Sequence, residues 1–289
     1  MGRGMNAVAE QSFKNSMLDT IGYAPDSIIG DGSLHRIKNP DGKLTGWYVF
    51  HTDGEAAGAF GDWKLGIKEN WKLEGDFKQL TDAERQAFAI ERRRQNLIRQ
   101  AEEKARHQIA IQKAAYIWSR SIPVTNHPYL AKKNVKPHGL RCHKGALVVP
   151  MQDETGLLVS LQFINDDGTK RMMMGGKAQG ACCFIGDSID LTKDDIILIC
   201  EGWATGASLY EATGHFTVVA FNAGNLTAVA IQTRKHHQAN QIIICGDNDA
   251  SGVGQIAARA AALAINGKYK IPDTEGCDFN DIVNEAVVV

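Results

Sequence analysis

Glu201, Asp247 and Asp249 each stand just beyond a short run of apolar, mostly β-branched residues. Ile196-Ile197-Leu198-Ile199-Cys200 ends in Glu201-Gly202, and Gln241-Ile242-Ile243-Ile244-Cys245 ends in Gly246-Asp247-Asn248-Asp249. Such runs read as strands buried on both faces of a parallel sheet. Open parallel sheets bind ligands beyond the carboxyl ends of their strands, so the three acids are expected to share one crevice although they lie far apart in sequence. Carboxylates crowded in this way repel one another unless a cation lies between them. Oxygen ligands without His or Cys suit Mg²⁺ or Mn²⁺, and Mg²⁺ held by a few carboxylates keeps coordination places for water and phosphate. Asp278 and Asp281, in Asp278-Phe279-Asn280-Asp281, follow one more short strand and are candidates for a second ion. Asp281 also stands where it would cap the closing helix.

Positioning these acids requires strands in register and helices to cover them. Residues 204–212 read as a helix that starts straight after Glu201-Gly202, residues 217–221 as a strand, and a helix from Leu226 ends near Lys235-His236-His237, where positive charge suits a carboxyl terminus. An Ala-rich helix is expected over 256–265. Together, residues 191–289 form the expected α/β domain, an open parallel sheet flanked by helices. Ahead of it, residues 121–190 read as a small antiparallel sheet with strands at 146–150, 157–164, 171–174 and 182–185. Its turns, Asp153-Glu154-Thr155-Gly156 and Asn165-Asp166-Asp167-Gly168, each end in glycine. Residues 79–120 lack glycine and proline and read as a helical connector, either one helix of up to about forty residues or a hairpin.

Residues 1–78 form the last expected unit, a small α+β module with a polar lead-in and a short helix before Gly22. Its aromatic residues Trp47, Tyr48, Phe60, Trp63 and Trp71 are interleaved with His35, Arg36, Lys38, Lys64 and Lys68. Such interleaving can stack on and clamp single-stranded DNA. Filling the core of a small domain is the competing account, favoured for Trp47 and Phe60. Trp63 and Lys64 are the nucleic-acid candidates.

The whole chain bounds these readings. A formal net charge of −1 over 289 residues restricts any nucleic-acid surface to a local patch. The six cysteines contain no C-x-x-C spacing, and Cys200 and Cys245 end predicted buried strands. Reduced thiols in a cytoplasmic protein are expected, with no zinc ribbon. No apolar run reaches the roughly eighteen residues a membrane span requires, so no membrane partner is expected.

Strand–Glu-Gly, strand–Asp-x-Asp and a late acidic motif resemble the TOPRIM domain of DnaG-type primases, topoisomerases and some nucleases. Glu201-Gly202-Trp203-Ala204-Thr205-Gly206, Val219-Ala220-Phe221-Asn222-Ala223-Gly224-Asn225-Leu226 and Asp278-Phe279-Asn280-Asp281 are similar to the TOPRIM primases of conjugative plasmids and phage-like mobile elements. The resemblance runs continuously over about residues 127–281, and the amino-terminal module recurs in those primases. It implies synthesis of short RNA primers on single-stranded DNA from ribonucleoside triphosphates, by metal-dependent nucleotidyl transfer. It places Glu201 as metal ligand or general base, and Asp247 and Asp249 as ligands. Lys170, Arg171 and Lys177 occupy the place from which the sheet ahead of TOPRIM lends basic residues to template and triphosphate, and Gly175-Gly176 would let a phosphate approach backbone N–H groups. It also implies a replicative helicase supplied by another protein or by a missing part of the chain. A TOPRIM nuclease and a non-catalytic single-stranded-DNA-binding accessory protein are the alternatives.

Overall fold

The computed structural model describes residues 2–52, 56–63, 65–73, 82–187 and 191–287. The chain divides into two compact units, Met1–Gln100 and Ala101–Val289. Lys64 lies outside the described residues. Among those described, no helix is long and apolar enough to cross a membrane.

In the first unit a helix, α1 (Gly2–Ile21), packs on an antiparallel sheet of four strands in the order β1 (His35–Ile37), β2 (Gly46–His51), β3 (Ala57–Asp62) and β4 (Ile67–Lys72). Ala9, Phe13, Met17 and Ile21 recur every four residues, which places them on one helix face, and they are buried with Ile37, Tyr48, Phe50 and Phe60. Phe13 is the centre of this core, its ring 4.8 Å from that of Phe50 and 5.5 Å from that of Phe60. The sequence pattern underestimated α1, because its buried stripe is one residue wide and most positions between are polar, with Leu18 exposed. Trp47 and Phe60 are core residues, as expected. Trp63 follows the end of β3 and lies in the turn to β4 instead of in a strand. The next helix, α2 (Asp82–Arg120), is a single 39-residue element, about 59 Å long at 1.5 Å per residue.

The second unit holds two five-stranded sheets. The first is antiparallel, with β5 (Ile122–Pro123), β6 (Arg141–His143), β7 (Ala146–Gln152), β8 (Leu158–Ile164) and β9 (Lys170–Met172) in sequence order. A short helix, α3 (Pro128–Lys133), interrupts it and is capped by His127, which accepts from the N–H of Tyr129. One face of this sheet packs Val148, Leu161 and Met173 against Ala110 and Ala114 of α2.

The second sheet runs β10 (Cys183–Ile185), β12 (Thr217–Val219), β11 (Ile196–Cys200), β13 (Gln241–Cys245) and β14 (Lys268–Lys270), all parallel except β10. Helices α4 (Trp203–Thr213), α5 (Leu226–His236), α6 (Val253–Ala264) and α7 (Phe279–Val287) complete the layers. Cys182, Cys183, Cys200 and Cys245 are buried in or beside these strands. The sequence pattern grouped residues 182–185 with the antiparallel strands. The register corrects this: Phe184 pairs with Val218 of β12, and only the bridge between Gln152 and Cys182 ties this segment to the earlier sheet. A three-residue apolar strand carries no mark of which sheet it will join. Helix α6 also begins earlier than expected, at Val253.

Candidate active site

The register of β11 and β13 builds the crevice. Cys200 lies opposite Cys245, so Glu201 and Gly246 leave the sheet side by side at its carboxyl edge. Val219 of β12 also pairs with Cys200, which brings the following loop to the same edge, and the backbone N–H of Ala223 donates to Glu201. The next loop needs glycine. A Cβ on Gly254 would lie 2.7 Å from the Asp247 carbonyl and 2.9 Å from Asp249 Oδ2, so only a bare Cα lets the first turn of α6 close over the acids.

The two aspartates of this loop have opposite surroundings. Asp249 accepts hydrogen bonds from Ser251 Oγ, from Ser251 N at 2.9 Å and from Gly254 N at 3.0 Å. The Ser251 hydroxyl, more than any other contact, holds its pKa below the usual carboxylate value. Asp247 has its Oδ1 buried with no hydrogen-bond donor. Burial, then the charges of Glu201 and Asp278, push its pKa up to about 7. Burial also raises that of Glu201, with Asp249 adding to the shift. Asn248, between the aspartates, fixes their loop: its Nδ2 donates to the Pro272 carbonyl at 2.8 Å and its Oδ1 accepts from Gln255 Nε2 at 2.7 Å.

Asp278 and Asp281 cap α7 reciprocally. Asp278 Oδ1 accepts from the N–H groups of Asn280 and Asp281 at 2.7 and 3.0 Å, and Asp281 Oδ2 accepts from Asp278 N at 3.0 Å. Both carboxylates face Lys133 Nζ, 3.9 Å from Asp278 and 3.8 Å from Asp281, and Thr205 Oγ1 lies 3.4 Å from Asp278. Asn280 anchors this corner by donating to the Lys133 carbonyl and to Ser208 Oγ, both at 2.7 Å.

The antiparallel sheet contributes Lys170. The residue is exposed to solvent, and its Nζ reaches to within 3.9 Å of where a Cβ on Gly202 would stand. Burial lowers its pKa and so does Lys133; the carboxylates of Asp247, Asp278 and Glu201 act in the other direction. Arg171 points away. Lys170 pairs with Ile164 and Arg171 with Phe163, and successive strand residues face opposite sides, so Arg171 lies on the face that packs against α2. Lys177 lies elsewhere again, in an open groove with His107 and Gly180, its charge acting on Asp153.

Residues 196–286 match the family described as Toprim domain. This segment is a Toprim domain. It accounts for about a third of the chain. Over a longer stretch the chain is 32% identical to DNA primase TraC of Escherichia coli across 263 residues, 84% of this chain and 24% of that protein. A second DNA primase TraC from Escherichia coli is 34% identical across 269 residues, 86% of this chain and 18% of its own length. The chain thus spans a quarter or less of the curated relatives it matches. Among solved structures, the DnaG primase catalytic domain bound to single-stranded DNA is 12% identical with a TM-score of 0.45, over 63% of this chain and 76% of that one.

Of the sequence candidates, the fold brings Glu201, Asp247, Asp249, Asp278 and Lys170 together in the Toprim crevice, with Asp281 at its rim. It places Arg171 and Lys177 outside, and Trp63 belongs to the other unit. Thr205 was missed, and so was Lys133. The signal available was its place at the end of a short helix, where a side chain can reach a neighbouring element. Among the described residues no three acidic, His or Cys side chains are gathered at ligand spacing. The crevice nevertheless fits a hard divalent ion. Its donors are carboxylate oxygens, and the buried Oδ1 of Asp247 lacks any partner within the protein. Asp247 with Glu201 or Asp249 would hold the ion, while Asp278 and Asp281 face Lys133.

Proposed function

We propose that this chain is a DNA primase, making short RNA primers on single-stranded DNA by metal-dependent nucleotidyl transfer in the replication of a plasmid or related mobile element. The observation that carries the reading is the crevice itself: Glu201, Asp247 and Asp249 converge at the edge of a Toprim domain with Lys170 delivered from a separate sheet. Alignment of 84–86% of the chain with two proteins named DNA primase TraC supports the same reading. Mg²⁺ or Mn²⁺ held there would lower the pKa of a primer 3′-hydroxyl and neutralise charge on an incoming ribonucleoside triphosphate. Asp247 is the central ligand, and Glu201 is either a ligand or the base that takes the hydroxyl proton. Lys170 presents its ammonium to triphosphate oxygens, while Lys133 and Thr205 hold Asp278 in place. Trp63 offers a stacking surface to template DNA. Arg171 and Lys177, if they meet nucleic acid, do so along its backbone away from the chemistry. Unwinding falls to a helicase supplied separately, and the reaction takes place in the cytoplasm.

The test is direct. Purified protein, single-stranded DNA, labelled ribonucleotides and Mg²⁺ or Mn²⁺ should yield short labelled RNA. Shortening of the DNA without new RNA would move the assignment to a nuclease, and binding with neither product to an accessory protein.

A further inference from the structure

The sheet that carries the crevice has a second concavity near its other end, of about 180 Å³. Phe216, just before β12, and Val218 within it line the cavity with Phe184 of β10. Val229 and Gln232 of α5 form a wall, and Glu154 at the tip of the β7–β8 hairpin closes one side. None of the crevice carboxylates lines it. Strand β12 runs from this cavity towards the crevice, so the two sites lie at opposite ends of one strand.

The cavity has the attributes of a site for a flat ring. An apolar cavity of about 150 Å³ is enough to take a benzene ring. Phe184 and Phe216 stack on each other with centroids 5.7 Å apart and planes 21° apart, which puts an aromatic surface in the lining. Its polar lining mixes the Thr155 and Thr233 hydroxyls and the His236 and His237 rings with the acceptors of Gln232 and Glu154. Gln232 Oε1 is buried and accepts no hydrogen bond, and the Glu154 carboxylate meets only a long 3.5 Å contact from Gln232 Nε2. A buried acceptor without a donor is a standing cost to the fold, and a ligand N–H would remove it. Ligand pockets combine apolar lining with a few polar groups that fix orientation, and this cavity does so.

We propose that this cavity binds a flat one- or two-ring heteroaromatic carrying an amino group, of the aminopurine class, with its ring against Phe184 and Phe216 and an N–H donated to Gln232. The proposal is independent of primer synthesis, because no residue is shared with the crevice.

The full chain is titrated with adenine methylated at N9, and separately with purine methylated at N9, so that only the amino group differs, without divalent metal or phosphate. Binding is read by ligand-observed NMR and by protein melting. The methylated adenine should bind saturably at millimolar concentration or better, and the methylated purine about tenfold more weakly, the difference made by one buried hydrogen bond. Gln232→Leu should remove that preference, and Val229→Phe, which fills the cavity, should abolish binding of both. If Val229→Phe fails to fold, the loss of preference in Gln232→Leu, at a half-buried helix position, decides the matter alone. No saturable binding of the methylated adenine, or a preference for it over the methylated purine unchanged by Gln232→Leu, would overturn the assignment.

Discussion

Two aspartates show how differently the two units treat a carboxylate removed from water. In the amino-terminal unit Asp62 is almost fully buried, and it accepts from Tyr23 Oη, from Thr45 Oγ1 at 2.8 Å and from Leu65 N at 3.1 Å. In the carboxyl-terminal unit Asp247 faces Glu201 and Asp278, and one of its oxygens has no donor. The first is a structural carboxylate, surrounded by the hydrogen bonds that make burial tolerable. The second is left incomplete by the fold, as expected of a group whose partner arrives with the reaction. Surplus negative charge is a better guide to the working site than burial alone.

The comparison can be broken most sharply by the same substitution at both places. Asp247→Asn should cut primer synthesis at least about a thousandfold, the several kcal/mol that charge neutralisation by a bound metal supplies, while the protein still folds. Near-normal activity in that variant would place the chemistry elsewhere. Asp62→Asn should do the reverse: melting of the amino-terminal unit should drop by about 1.5–3 kcal/mol in stability, with the crevice unaffected. An equally stable Asp62→Asn protein would show that its hydrogen bonds are not structural.

Trp63 sharpens the contrast within the first unit. Its ring is 47% exposed, stacked on Trp47 at 5.9 Å, with the Arg36 guanidinium 5.0 Å from its centroid. Trp63→Ala should weaken single-stranded DNA binding about five- to a hundredfold, the range of one base–aromatic stack, and cost no more than about 1–2 kcal/mol of stability. A large loss of stability with unchanged DNA affinity would make it a packing residue.

The smallest expected effect is the pH dependence of the metal-free protein. Asp247 has a pKa of about 7 in the folded state against an ordinary 3.8. The folded protein therefore holds this proton more tightly than the unfolded chain. Its contribution to stability is fully present below about pH 4 and is lost as the pH rises through about 7. The shift sets a ceiling of about 4 kcal/mol, and partial access of water to the carboxylate brings the expected loss to about 1–2 kcal/mol. Comparative melting of the natural chain and Asp247→Asn between pH 5 and 8, values chosen to bracket about 7, should show the two converge at low pH and the variant gain above. Parallel curves would remove Asp247 as the charge-strained group.

How much of this could be read from sequence follows the range of the interactions. Glu201, Asp247 and Asp249 were visible because strand, turn and acid are adjacent in sequence, and one rule about parallel sheets brings the two motifs together. Lys133 was not, because its role depends on Asn280 holding the end of α3 against the start of α7, a contact between distant segments. Lys170 and Arg171 read alike as neighbouring basic residues past the second turn. Only the pairing register with Ile164 and Phe163 separates the one that reaches the carboxylates from the one that does not. The amino-terminal core was hidden for another reason, since Phe13 and Met17 belong to a stripe one residue wide, and Val8 and Leu18 of the same helix are exposed.

The buried cysteines give the crevice a built-in chemical clock. Burial pushes the thiols of Cys182 and Cys245 up to about 12, and those of Cys183 and Cys200 are raised as well. Alkylating reagents attack the thiolate, so these four positions stay silent while β10, β11 and β13 remain closed. Cys142 and Cys277 are partly exposed and can be blocked first. The slow labelling that remains then times local opening of the strands that end at Glu201 and Asp247, a rate at which the crevice edge breathes that melting does not report.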